Sequence, residues 1–178
     1  MVQISLPQNS KIEKGKYYKD KTGSKNLRKV NIYRWDPSTG ENPRIDTYEV
    51  DMDNCPSKVL DLLNKIKNEI DSSIAYRRSC AHGVCGSCAM NMDGKNGLAC
   101  TKPHSEIKGD INIYPLPHLR VQKDLIGDLD GFIHIINPVN GQTIGRKKIS
   151  RKPIMTLYSR SNQFYAVDNN FNLFSLSI

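Results

Sequence analysis

Four cysteines crowded into 21 positions constrain this chain more than any other feature: Cys80, Cys85, Cys88 and Cys100, spaced C-x4-C-x2-C-x11-C. Thiols so placed can meet only if one long loop wraps around a common centre and later chain returns with the fourth. The fifth cysteine, Cys55, stands apart. An odd count, with no apolar h-region in Met1 to Lys29, argues against a secreted disulfide framework and for a metal or cluster site.

The spacing is that of plant-type [2Fe–2S] ligands, in which two tetrahedral irons share two sulfides and each takes two thiolates. The sequence around the cysteines fits that task. Gly83 and Gly86 lack a Cβ, so they can adopt positive φ and let backbone N–H groups approach sulfur. Such hydrogen bonds stabilise a negative cluster and tune its potential. Ser79 and Ser87 offer further donors, and Arg77 and Arg78 offer charge that favours thiolate over thiol. Asp93-Gly94 and Asn96-Gly97 supply a turn before Leu98-Ala-Cys100 returns with the fourth ligand.

Two other uses of these cysteines stay open. A four-cysteine zinc site generally uses two C-x2-4-C pairs, whereas here a trio is followed by a lone fourth. A reactive-thiol role is the other. His82 lies inside the run, but four cysteines already complete a site, so it is expected on the loop surface. His104, His118 and His134 are isolated and carry no assigned chemistry. Cys55, just before Pro56, is expected to be a structural thiol at the start of a helix.

Net charge is +8, and it is unevenly spread. Residues 1–29 carry +6, residues 30–125 carry −1 and residues 126–178 carry +3. The basic head interleaves Tyr17 and Tyr18 with lysines, a pattern that can bind phosphate backbones. A solvated arm, or docking to an acidic protein face, is the expected reading rather than nucleic-acid binding. No apolar run approaches the roughly 18 residues of a membrane span.

The pattern along the chain predicts three regions: a flexible basic arm over 1–29, a cysteine domain over 30–125 and a β-rich tail over 126–178. Val30–Trp35 and Arg44–Val50 alternate as strands around the turn formers of Asp36–Pro43. On the second, Ile45, Thr47 and Glu49 share one face. Asp53-Asn-Cys-Pro56 marks a helix start, and Val59, Leu62, Leu63, Ile66 and Ile70 recur at helical spacing, an apolar face that should lie on the preceding hairpin. Ile107–Tyr114 reads as a further strand, with Ile111 and Ile113 on one face. The order is that of an α+β domain. The tail predicts strands over Phe132–Ile136, Thr143–Ile149, Ile154–Tyr158, Phe164–Val167 and Leu173–Ile178. Turn signals separate them at Asp130-Gly131, Pro138, Asn140-Gly141, Pro153, Ser161-Asn162 and Asn169-Asn170, as in a β-meander.

Residues 30–125 resemble the N-terminal domain of the iron–sulfur subunit of the succinate dehydrogenase and fumarate reductase family, respiratory complex II. The likeness rests on Tyr33-Arg-Trp-Asp-Pro37, Asn42-Pro-Arg-Ile45, Arg77-Arg-Ser-Cys80, Gly83-Val-Cys-Gly-Ser-Cys88, Ala89-Met-Asn-Met92, Leu98-Ala-Cys100, Ile113-Tyr-Pro-Leu-Pro117 and Lys123-Asp-Leu125. It implies a β-grasp, ferredoxin-like fold with Cys80, Cys85, Cys88 and Cys100 as the ligands of a [2Fe–2S] cluster. It also implies a flavoprotein subunit as partner, whose FAD supplies electrons and which carries the substrate-oxidising residues, so no catalytic residue is expected here. In the family Arg-Glu follows the first cysteine. Ala81 and His82 stand there instead, which removes a charge pair beside the cluster.

The family continues into a helical domain whose cysteines hold [4Fe–4S] and [3Fe–4S] clusters, while no cysteine follows Cys100 here. The quinone route and contact with membrane-anchor subunits are therefore expected to be missing from these residues. Gly127 to Ile178 instead resembles the end of a quinoprotein-type β-propeller, closest to the propeller lipoproteins of bacterial outer-membrane assembly. That pairing implies two unrelated fragments joined near Leu125.

The leading expectation is an electron-transfer subunit of succinate dehydrogenase, peripheral on the cytoplasmic face of a bacterial inner membrane, or cytoplasmic if unassembled. A free-standing [2Fe–2S] carrier is one alternative. A non-functional fusion or truncation product whose β tail is a binding module is the other.

Overall fold

The amino-terminal third forms three strands, Glu13–Tyr18 (β1), Leu27–Arg34 (β2) and Arg44–Asp51 (β3), of which β2 and β3 alternate buried and less buried residues. The structure, a computed structural model, describes residues 11–53, 55–136, 143–160 and 163–177. The chain divides into two units, Met1–Gly127 and Asp128–Ile178.

In the first unit β2 and β3 form the expected long-looped hairpin, antiparallel from Leu27 opposite Asp51 to Arg34 opposite Arg44. The buried face of β3 is Asp46, Tyr48 and Val50, leaving Ile45, Thr47 and Glu49 on the outer one. Hydropathy alone favours neither face. The buried Arg34 guanidinium decides it, since its Nη1 lies 3.3 Å from Asp46 Oδ2 and 2.7 Å from the Tyr48 hydroxyl. A buried charge must be paired and hydrogen-bonded.

The basic arm expected over 1–29 is not free along its described length. β1 pairs in parallel with β3. Gly15 permits this approach, because a Cβ there would fall 2.1 Å from Asp46 Oδ1. That oxygen instead accepts the Lys16 backbone N–H at 2.7 Å. Tyr18 stacks on Tyr48 with ring centroids 4.6 Å apart. Residues 1–10 lie outside the described part.

The helix, Val59–Glu69 (α1), buries Val59, Leu60, Leu62, Leu63 and Ile66. It begins three residues after Pro56, and Asn54 of the expected start lies outside the described residues. Asp61 accepts the Lys58 backbone N–H at 3.1 Å in the first turn. At the other end the Lys67 ammonium donates to the carbonyls of Ser72 and Ile74. Beyond α1 come Ala89–Met92 (β4), Lys95–Leu98 (β5), Ile111–Tyr114 (β6), Val121–Lys123 (β7) and Ile126–Gly127 (β8). The strand expected from Ile107 starts only at Ile111. Gly109 turns there with φ +70, and Arg28 donates to the carbonyls of His104, Ile107 and Gly109.

The six-stranded sheet runs β1-β3-β2-β6-β4-β5. Its inner face (Val30, Ile32, Tyr48, Val50, Met90, Met92, Ile111 and Ile113) shares one core with the apolar face of α1. Burying one such aliphatic side chain contributes roughly 1.5–3 kcal/mol. One helix on a mixed sheet is the α+β, β-grasp arrangement that the sequence leads one to expect.

The second unit is strand-rich. Phe132–Ile136 (β9) pairs antiparallel with Thr143–Lys148 (β10). Ile154–Arg160 (β11), Gln163–Asp168 (β12) and Leu173–Ser177 (β13) form a three-stranded antiparallel sheet. Asp168 closes the last turn: its carboxylate accepts the Ser150 hydroxyl at 2.7 Å and the N–H groups of Asn170 and Asn172 at 3.0 Å. The turn signals at Pro138, Asn140-Gly141 and Ser161-Asn162, and Ile178, lie outside the described residues.

Candidate metal centre

The eleven-residue gap between Cys88 and Cys100 is a hairpin. β4 follows Cys88 directly, Asp93 (φ +50) and Gly94 (φ +81) make the tight mirror-image turn that hairpins favour, and β5 runs back beside β4. Ala89 opposes Leu98, so Cys88 and Cys100 emerge at the same end. The Ala99 N–H donates to the Cys88 carbonyl at 3.1 Å, and the Leu60 N–H at the start of α1 donates to the Ala99 carbonyl at 2.9 Å. Both thiols are buried. The sequence predicts only a turn here, because Asn, Gly and Lys carry little strand signal.

Between Cys80 and Cys88 the backbone is folded tightly around its own sulfurs. Ala81, Gly83 and Gly86 all have positive φ, at +60, +88 and +73. Gly83 is required twice over, since a Cβ would also meet Thr101 Cγ2 at 2.8 Å. The Cys85 N–H donates to Cys80 Sγ at 3.4 Å. The backbone N–H of His82, followed by those of Cys85 and Val84, pushes the Cys80 thiol down to about 6. The Ser87 hydroxyl, 3.1 Å from Cys85 Sγ, lowers the Cys85 thiol. Burial, then the neighbouring Cys88 thiol, pushes Cys100 up to about 11, against a Gly83 N–H that lowers it.

These donors belong mainly to the backbone. The expected contribution of Arg77 takes another form: its guanidinium donates to Gln122 Oε1 at 3.1 Å, on β7. His82 is exposed, as expected, and its Nδ1 lies 2.5 Å from the Cys80 carbonyl. Cys55 is half-buried against the core, and burial raises its thiol.

The donor set can be tested against the group it would hold. A binuclear cluster needs two pairs of thiolates, whereas a single zinc needs several donors about one point. Among the described residues no three His, Cys, Asp or Glu side chains gather to hold one ion. The loop brings the Cys85 N–H onto Cys80 Sγ, and the hairpin brings Cys88 and Cys100 to one end, so each contributes two thiols. Two pairs of soft sulfur donors, ringed by backbone N–H groups, fit a [2Fe–2S] cluster.

Sequence reasoning missed what holds the loop from outside. Asp124, with φ +46, accepts the backbone N–H groups of Trp35 and Ala75, both at 2.9 Å. The signal was present in Lys123-Asp-Leu125, but nothing local reveals a partner 49 positions away.

Residues 29–134 match the family described as 2Fe-2S iron-sulfur cluster binding domain. The chain is similar to the succinate dehydrogenase iron-sulfur subunit of Paracoccus denitrificans, 62% identical over 132 residues, or 74% of this chain and 51% of that protein. Among solved structures it resembles a chain of the Mycobacterium smegmatis Sdh1 complex in the apo form. There the TM-score is 0.50 and the identity 28%, over 60% of this chain and 44% of that one. The chain thus spans about half the length of the curated relative it matches.

Proposed function

The chain belongs to the 2Fe-2S iron-sulfur cluster binding domain family, and on that premise we propose that it is the electron-transfer part of a succinate dehydrogenase iron–sulfur subunit. Its [2Fe–2S] cluster is held by Cys80, Cys85, Cys88 and Cys100. The observation that carries this reading is the supply of two cysteines by one tight loop and two by one hairpin, in a chain 62% identical to such a subunit.

A [2Fe–2S] cluster supplies a centre that accepts and releases one electron at a time. The protein's part is to bind and insulate it. Cys88 and Cys100 anchor the inner side against α1, and the N–H groups of His82, Gly83, Val84 and Cys85 face the sulfurs. Val84 is 65% exposed and Cys85 is exposed, so the outer side is open to an approaching redox partner. That partner is the flavoprotein subunit of the same enzyme, with electrons passing from its FAD toward quinone. Among the described residues no helix is long and apolar enough to cross a membrane. The proposed location is peripheral, on the cytoplasmic face of the inner membrane.

Anaerobic purification followed by iron and acid-labile sulfide analysis tests the cluster, with two of each per chain expected. Co-purification with a flavoprotein subunit tests the assignment. A chain that takes electrons from a ferredoxin reductase and never retains a flavoprotein would overturn it in favour of a free carrier.

A further inference from the structure

The segment leading into the first cysteine is held by a short stretch far away in sequence. The Ala75 N–H donates to Asp124 Oδ2 at 2.9 Å, and the Ala75 carbonyl accepts the Leu125 N–H at 3.2 Å. Two residues on, Arg77 donates to Gln122 Oε1 at 3.1 Å. Residues 122–125 therefore lie along residues 75–77 and contact them at both ends.

This stretch is itself fastened to the sheet. Asp124 Oδ1 accepts the Trp35 N–H at 2.9 Å, and the Asp124 N–H donates to the Trp35 carbonyl at 2.8 Å. Arg34 Nε lies 3.1 Å from Asp124 Oδ1, an ion pair without hydrogen-bond alignment, with both side chains buried. The same guanidinium reaches Asp71 Oδ2 at 2.6 Å and Ser73 Oγ at 2.7 Å, on the turn that precedes Ile74. Arg34 thus grips both the far stretch and the root of the cysteine loop. Left-handed backbone at a non-glycine residue is tolerated best by Asp and Asn, and at Asp124 it aims the carboxylate at Trp35 and Ala75 together.

We propose that Gln122–Leu125, anchored on Arg34 through Asp124, is a strap that fixes the first leg of the cysteine loop, residues 74–80. It thereby sets where the Cys80 sulfur meets the cluster. Asp124 is a positioning residue: it touches no sulfur and acts through Ala75. This inference rests on the cluster reading above, but its first test does not need the cluster.

The experiment compares the full chain with Asp124→Asn and Gln122→Ala. Asn keeps the left-handed turn and the size of the side chain, but its amide sets a donor against one of the N–H groups Asp124 accepts. In the cluster-free protein, hydrogen exchange over residues 74–80 should rise about tenfold in Asp124→Asn while the amides of α1 stay unchanged. In the loaded protein, the g-values of the reduced cluster should shift and its visible absorbance should decay faster in air. General destabilisation of a folded chain would not move the g-values.

Folded Asp124→Asn with unchanged exchange over 74–80, or with unchanged g-values, overturns the strap. Should Asp124→Asn not fold, Gln122→Ala decides. This surface change should raise exchange near Arg77 about threefold, and no rise overturns the proposal. A wild-type chain that binds no iron would overturn the cluster assignment instead, a result distinct from either of these.

Discussion

The Ala99 N–H donates to the Cys88 carbonyl at 3.1 Å, and through this bond the last residue before Cys100 is fixed beside the third cysteine. The pair it creates is buried and sits under the start of α1. The other pair, Cys80 and Cys85, lies in a loop of positive-φ residues open to solvent. The site therefore has a rigid inner side and an outer side shaped by backbone torsions.

The four candidate ligands should behave differently from Cys55. Alanine at Cys80, Cys85, Cys88 or Cys100 should abolish or sharply reduce bound iron and labile sulfide, measured on anaerobic protein. Cys55→Ala should leave both unchanged, since it removes only a half-buried thiol packed on the core.

Gly83 and Gly86 both have positive φ, but only Gly83 lacks room for a Cβ. Gly86→Ala should cost roughly 1 kcal/mol of backbone strain and retain the cluster. Gly83→Ala adds a 2.8 Å contact with Thr101 Cγ2, displacing the N–H that faces Cys100. Visible absorbance after reconstitution should be clearly lower for Gly83→Ala than for Gly86→Ala.

Removing Arg34 should be the most damaging single change in the first unit. Arg34→Met leaves the buried Asp124 without its cation and the buried Asp46 with Arg44 alone. Losing one partner of a buried pair costs about 3–5 kcal/mol. Chemical denaturation should report that loss, and Asp71→Asn, at the solvent-facing side of the same group, should cost less.

Acid should weaken the first unit through Asp71. Burial opposes its ionisation, but hydrogen bonds from Ser73 and Arg34 outweigh burial and hold the carboxyl well below its usual range. The unfolded chain therefore takes up this proton first. The stabilisation is complete above the unfolded value of about 3.9 and is lost as pH falls through the lower folded value. Denaturation midpoints measured from pH 5 downward should fall, and the fall should be shallower in Asp71→Asn.

In the second unit, β11 is an outer strand of its sheet and exposes Met155, Leu157 and Tyr158. Arg160 is the one charge on this strand, and an edge so largely apolar is a template for pairing with another chain. Leu157→Lys should reduce concentration-dependent association of the full chain, read by light scattering.

Much of this was legible in the sequence, for identifiable reasons. β2 and α1 follow from apolar periodicity, which burial enforces directly, and the strands of the second unit from the turn signals that separate them. The cluster spacing follows from the stoichiometry of thiolates about two irons. β1 was illegible because its pairing depends on Gly15 and Tyr18 meeting Asp46 and Tyr48, which no local pattern reveals. The inward face of β3 was illegible because a buried arginine, not hydropathy, selects it. The role of Asp124 was hidden for the same reason, since its partners lie 49 and 89 positions away.

The short span of the hairpin between Cys88 and Cys100 has a consequence for the order of folding. Its strands meet across a two-residue turn, and such closures take about 1–10 μs in isolated peptides. The contacts that steady the approach to Cys80 span 45 and 49 positions, and distant contacts are slower to form. A nascent chain would therefore assemble its buried sulfur pair early and its outer pair late, leaving the solvent side of the loop as the last door to close.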